Sequence, residues 1–331
     1  MRTGTNVVGS AALLIGLSLA TSASTSLAQQ GGKSPLKVFV LAGQSNMEGQ
    51  GVVDLDHPQY YNGGKGTLKQ VMEDPAKSER FAHLKDAEGN WVARDDVWVR
   101  FKIAGGLKKG PLTIGFTGYP DRHHIGPELQ FGHVVGDALD AQVLLIKTAW
   151  GGKSLFTDFR PPSSGGQTGP YYEKMLEEVR EALENLADDF PSWDGRGYEI
   201  AGFVWFQGWN DMYDAEARAE YEQNLVNLIR DVRKVWGRPD LPVVIGELGN
   251  GGPEADSNML AIRQAQAAAA ARPEFEGTVT FVKTTAFARP REQSPNVGHG
   301  HHWFGNAESY FLIGDAMGQA MNKLLSAGRG Q

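Results

Sequence analysis

The chain has 331 residues, 41% of them hydrophobic and 21% charged, with a formal net charge of -7. Such a composition supports one large globular core. The mild, dispersed acidity, with no run of Lys and Arg interleaved with aromatics, excludes a groove for polyanions, so nucleic acid is not an expected partner. Cysteine is absent, which removes disulfides, thiolate nucleophiles and Cys-ligated metal sites and leaves Ser, His, carboxylates and amides to carry any chemistry.

Residues 1–28 read as a secretory leader: Arg2 is the positive region, 7–20 the apolar stretch, and Ser26-Leu27-Ala28 a small-x-small cleavage site. The apolar stretch is shorter than the roughly 20 residues that cross a bilayer. The expectation is therefore export, to a secreted or periplasmic location in a bacterial envelope, with no membrane association after cleavage near Gln29. Downstream, β-branched runs at 37–41, 142–147, 200–205, 242–246 and 278–283 alternate with helical periodicity. Met175, Val179, Ala182 and Leu186 share one helical face, as do Tyr221, Leu225, Leu228, Val232 and Val235. This rhythm predicts an α/β fold, a three-layer α/β/α sandwich around a five-stranded parallel sheet. Residues 52–120 interrupt it with glycine clusters and an alternating run through Trp98, Arg100 and Lys102. They are read as an insertion containing a hairpin, placed after the first strand where it borders the ligand crevice.

Four short blocks carry chemistry. The first strand runs into Gly43-Gln44-Ser45-Asn46-Met47, so Ser45 projects from a strand end, where a base can deprotonate it and helix N-terminal amides can stabilise charge. Alone, that serine reads equally well as a helix cap. After the second strand come Trp150-Gly151-Gly152-Lys153, where either glycine lets the backbone approach a substrate without a Cβ in the way. After the third come Gln207-Gly208-Trp209-Asn210-Asp211, in which Asn210 can offer a side-chain N–H, and both Asn210 and Asp211 suit helix caps. Near the C-terminus, Gly298-His299-Gly300-His301-His302-Trp303 precedes a helical stretch. No carboxylate accompanies these histidines at a metal-ligand spacing, so neither a metal nor another cofactor is expected. Trp150, Trp205, Trp209 and Trp303 flank the blocks as sugar-stacking surfaces or, individually, as core.

In this order the blocks resemble those of the SGNH (GDSL-like) hydrolases, especially the sialate O-acetylesterase-like branch that includes carbohydrate esterase family 6. The resemblance runs from Leu41 to Gly314 and leaves the insertion unmatched; it implies an esterase domain over 29–331. It further implies a serine esterase with Ser45 as nucleophile and an oxyanion hole of Ser45 N–H, Gly151 or Gly152 N–H, and Asn210. The base is His302, or its neighbour His301. Asp211 holds the loop or caps a helix, and Ile125-Gly126-Pro127-Glu128-Leu129 is a structural helix start. The implied substrate is an acetylated carbohydrate, such as xylan or a sialic-acid-like sugar. One feature departs from the pattern: the aspartate usual three residues before the histidine is replaced by His299. Glu292, Glu247 or a backbone carbonyl are the candidates to orient the imidazole. The alternatives are a general arylesterase or lipase on the same machinery, and a carbohydrate-binding protein on a decayed scaffold.

Overall fold

The central strand, β1 (Leu36–Gly43), is buried on both faces: Val38, Val40 and Ala42 enter one hydrophobic cluster, Phe39 and Leu41 the other. That alternation follows from the two-residue period of a strand, and burial on both faces marks a sheet covered by helices on either side. The structure is a computed structural model that describes Met1 and residues 34–328. The leader expected over 1–28 lies outside the described residues apart from Met1. Among the described residues, no helix is long and apolar enough to cross a membrane.

The remaining strands of the main sheet are β2 (Arg94–Ile103), β3 (Gly106–Leu112), β4 (Val143–Ala149), β5 (Tyr198–Phe206), β6 (Val243–Gly246) and β7 (Val279–Val282). They run in the order β3-β2-β4-β1-β5-β6-β7. All neighbours pair in parallel except the β2-β3 hairpin. The five expected strands are all present, but the sheet is seven-stranded, because the insertion adds two more strands at one edge. There Trp98 stacks on Phe190 with ring centroids 4.7 Å apart, and Arg100, 3% exposed, bonds Asp189 at 2.6 Å. The alternating run thus packs its bulky and charged side chains against a helical layer instead of standing free. At its base the insertion is pinched by an antiparallel pairing of Gly51 and Val52 with Ile125 and His124.

Helices cover both faces. The Val38 face carries α3 (Pro170–Glu184), α4 (Ala215–Val235) and α5 (Ser257–Ala270); the Phe39 face carries α2 (Glu128–Ala138) and α6 (Ala307–Gly328). Their starts follow local rules: Pro170 opens α3, while Asp214 and Asp256 cap α4 and α5 by accepting from Ala217 N at 2.8 Å and Met259 N at 2.9 Å. The expected apolar faces enter the core, with one exception. Val235, the last residue of α4, is 55% exposed. Leu186 is buried in a separate helical turn after α3.

Candidate active site

Strand β1 lies between β4 and β5, so the chain turns to opposite sides of it, and the crevice beyond the carboxyl ends of the strands opens there. Three of the four blocks converge at that point because each follows one of these three strands. Ser45 opens the short helix α1 (Ser45–Glu48) directly after β1. The turn before it requires glycine: Gly43 has φ +156°, and a Cβ there would lie 2.1 Å from the carbonyl oxygen of Phe206. Gln44 then ties two blocks together, its Oε1 accepting from Gly208 N at 3.2 Å and its Nε2 donating to Asn210 Oδ1 at 3.1 Å.

Asn210 donates through Nδ2 to the carbonyl of Gly152 at 3.0 Å, which leaves one of its two side-chain N–H bonds free for a ligand. Asp211 is buried and holds the loops in register. Its carboxylate accepts from Leu155 N and Phe156 N at 2.9 Å each and from Gln207 Nε2 at 2.6 Å, and burial pushes it up to about 6. The two glycines differ. Gly151 lies beside the Glu48 carboxylate, whose Oε2 would be 3.3 Å from a Cβ placed there. Gly152 has φ +71° with open space around its Cβ position, and among the described residues its N–H has no acceptor in the chain.

His302 Nε2 lies 3.0 Å from Ser45 Oγ. His301 instead packs its ring on His302, 4.0 Å between centroids, and on Trp209 at 5.7 Å. Burial, reinforced by His301 and His299, holds the His302 imidazole down to about 3. The ring is therefore neutral over the physiological range and able to accept the serine proton. Its loop owes its course to Trp303 and Phe304, which both take left-handed backbone angles, φ 53° and 52°. Side chains tolerate this region poorly; the buried Trp303 indole, 2% exposed, anchors the turn.

Neither expected carboxylate reaches the imidazole. The Glu247 side chain is consumed between β6 and the segment after β7, accepting from Thr284 N at 2.7 Å, Thr285 N at 2.8 Å and Thr285 Oγ1 at 2.8 Å. Glu292 sits in an exposed helical turn, and only its backbone carbonyl is bonded, by Asn62 at 3.1 Å. Among the described residues no carboxylate pairs with His302. Its position is fixed through the backbone instead. Asn46 Nδ2 donates to the His301 carbonyl at 3.0 Å, and Tyr310 Oη on α6 bonds both Asn46 Oδ1 at 2.6 Å and the His302 carbonyl at 3.3 Å. Asn250 Nδ2 holds the Gly300 carbonyl at 3.2 Å. Sequence reasoning assigned no role to Asn46, although it stands inside the first block, and nothing local singles out Tyr310.

Beneath α1, Lys147 Nζ is fully buried and donates to Glu128 Oε2 at 2.7 Å, Phe116 O at 2.6 Å and Glu48 O at 3.0 Å. The Glu48 carboxyl is raised by burial, against the opposing pull of Lys147. Glu128 also accepts from Gly126 N at 3.2 Å, so the Gly-Pro-Glu element is a structural anchor at the start of α2. The insertion takes part as well: Tyr119 Oη donates to Gln50 Oε1 at 2.7 Å beside the serine helix. Among the described residues, no group of three or more His, Cys, Asp or Glu is arranged to hold a metal ion.

Known proteins resemble this chain in sequence and fold. A family model described as carbohydrate esterase, sialic acid-specific acetylesterase, matches residues 35–321. A curated Arabidopsis thaliana protein named "Probable carbohydrate esterase" is 25% identical over 236 residues, covering 70% of this chain and 75% of its own. A solved Arabidopsis thaliana structure has a TM-score of 0.55 at 18% identity, over 87% of this chain and 98% of that one. A carbohydrate acetylesterase from Xanthomonas citri has a TM-score of 0.50 at 14% identity, over 86% of this chain and 57% of that one. At these identities the two structures speak for the fold, while the family model spans most of the sequence. The chain belongs to the sialic acid-specific acetylesterase family of carbohydrate esterases.

Proposed function

We propose that the protein is an exported esterase that removes O-acetyl groups from carbohydrate through an acyl-Ser45 intermediate. The observation that carries this reading is the 3.0 Å approach of His302 Nε2 to Ser45 Oγ at the mouth of the crevice. Ser45 Oγ attacks the acetyl carbonyl while its proton passes to His302 Nε2. The oxyanion is met by the N–H groups of Ser45 and of Gly151 or Gly152 and by Asn210 Nδ2. Collapse breaks the bond to the sugar oxygen, which leaves as the hydroxyl after taking the proton from His302. Water, giving a proton to the same imidazole, then attacks the acyl-serine. As the acyl C–O bond breaks, Ser45 Oγ takes that proton back from His302, and acetic acid leaves and ionises to acetate.

This reading uses a Ser-His dyad in which Asn46 and Tyr310 hold the histidine loop and no acid acts on the second ring nitrogen. Export rests on the leader pattern of residues 1–28, and the mass of the mature N-terminus tests it. For the activity, acetate release from acetylated xylan and acetylated sialoside is compared between the parent and Ser45→Ala. Release by the parent and its loss in the variant are expected; equal release from both overturns the assignment. Long-chain esters distinguish the general-lipase alternative, which predicts their hydrolysis in preference to the acetylated glycan.

A further inference from the structure

Beyond the dyad, aromatic rings touch one another in sequence. His302 meets His301 at 4.0 Å between centroids, His301 meets Trp209 at 5.7 Å, and Trp209 meets Tyr213 at 5.7 Å in an edge-to-face arrangement of 72°. The other tryptophans near the blocks are committed elsewhere. Trp205 and Trp303 are 0% and 2% exposed and belong to the core. Trp150 packs against Phe159 and Tyr171, with the Lys174 ammonium 4.9 Å from its ring. Trp209 is half-buried and Tyr213 is 65% exposed.

An aromatic ring this open, at the end of a rigid turn, contributes little to the core. The turn Asp211–Tyr213 is fixed by the buried Asp211 carboxylate and by Arg218 Nη1 donating to the Met212 carbonyl at 2.6 Å. We propose that Trp209 and Tyr213, with His301 as the link to the catalytic base, form a stacking subsite for a pyranose ring of the substrate. Flat aromatic faces accept the C–H face of a sugar ring with little loss of conformational freedom. The Asp256 carboxylate near Tyr213 provides an acceptor for ring hydroxyls, and an aromatic face with a few polar groups is the usual composition of a ligand site. The subsite rests on the esterase reading in that it selects which acetyl esters reach Ser45.

The test compares Trp209→Ala, Tyr213→Ala and Trp209→Phe with the parent on two acetyl esters: acetylated xylotetraose, and glycerol triacetate, which has no ring. The expected result is a rise of about five- to tenfold in the ratio of the two KM values for each alanine variant, with Trp209→Phe recovering part of it. Equal losses on both esters, or an unchanged ratio, overturn the subsite. Binding of unacetylated xylotetraose to Ser45→Ala, alone and combined with Tyr213→Ala, separates the two claims. Binding that Tyr213→Ala weakens supports the subsite even if the parent releases no acetate, in which case only the esterase reading falls. Undetectable or unaltered binding counts against the subsite.

Discussion

Replacing Lys147 with methionine probes the buried knot beneath the nucleophile. The change keeps an unbranched side chain one atom shorter and removes its charge, leaving the Glu128 carboxylate, 0% exposed, with the Gly126 N–H as its remaining bonded partner. Removing one member of a buried ion pair costs about 3–5 kcal/mol, because the partner charge is left uncompensated. The carbonyls of Phe116 and Glu48 lose their donor as well, at about 1 kcal/mol each. Lys147→Met is therefore expected to lose about 5–7 kcal/mol in urea unfolding. Adding Glu128→Gln removes the orphaned charge and should restore about 2–3 kcal/mol of that loss. The loss should also reach the site, because Lys147 holds the last carbonyl of α1 and offsets the burial of Glu48, which lies beside Gly151. A Lys147→Met protein within about 1 kcal/mol of the parent, or a double variant less stable than the single, would refute the reasoning.

Other outcomes follow from the site. A neutral His302 is the active base, and its pKa of about 3 lies below the ordinary 6.5, so kcat/KM should hold its plateau through pH 6.5 and fall only as pH drops toward 3; a limb centred at 6.5 contradicts this. His301→Asn removes one of the two neighbouring rings that lower His302 and should move that limb upward. Asn210→Ala should lower kcat by about two to three decades with little change in fold, read by steady-state kinetics beside circular dichroism. Asn46→Ala removes the bonds to the His301 carbonyl and Tyr310 Oη. It should cost about 1–3 kcal/mol in urea unfolding and lower kcat/KM, whereas an unaltered rate would show that the histidine loop is held without it.

Much of the site was legible because its members sit just beyond strand ends, each within a window of a few residues. Ser45, the Gly151-Gly152 pair and Asn210 follow β1, β4 and β5, and parallel pairing of those strands brings them together without further information. What escaped reading is non-local. Tyr310 meets Asn46 across 264 positions, and Lys147 joins carbonyls and a carboxylate from three separate segments, so no periodicity points to either. The insertion's hairpin announced itself by alternation, but alternation does not specify which sheet edge it joins. Carboxylates also misled: Glu247 follows a strand as a catalytic acid might, yet two backbone N–H groups and a threonine hydroxyl of the neighbouring loop capture it.

The central claim, a covalent acyl enzyme on Ser45 formed with His302 as base, is tested most directly by rapid-quench mass spectrometry during turnover of an activated acetyl ester. The account predicts an added acetyl group that maps to Ser45 in the parent, is absent in Ser45→Ala, and forms far more slowly in His302→Ala. Acetate release with no acyl adduct at Ser45 in the parent, or undiminished in Ser45→Ala, would contradict it.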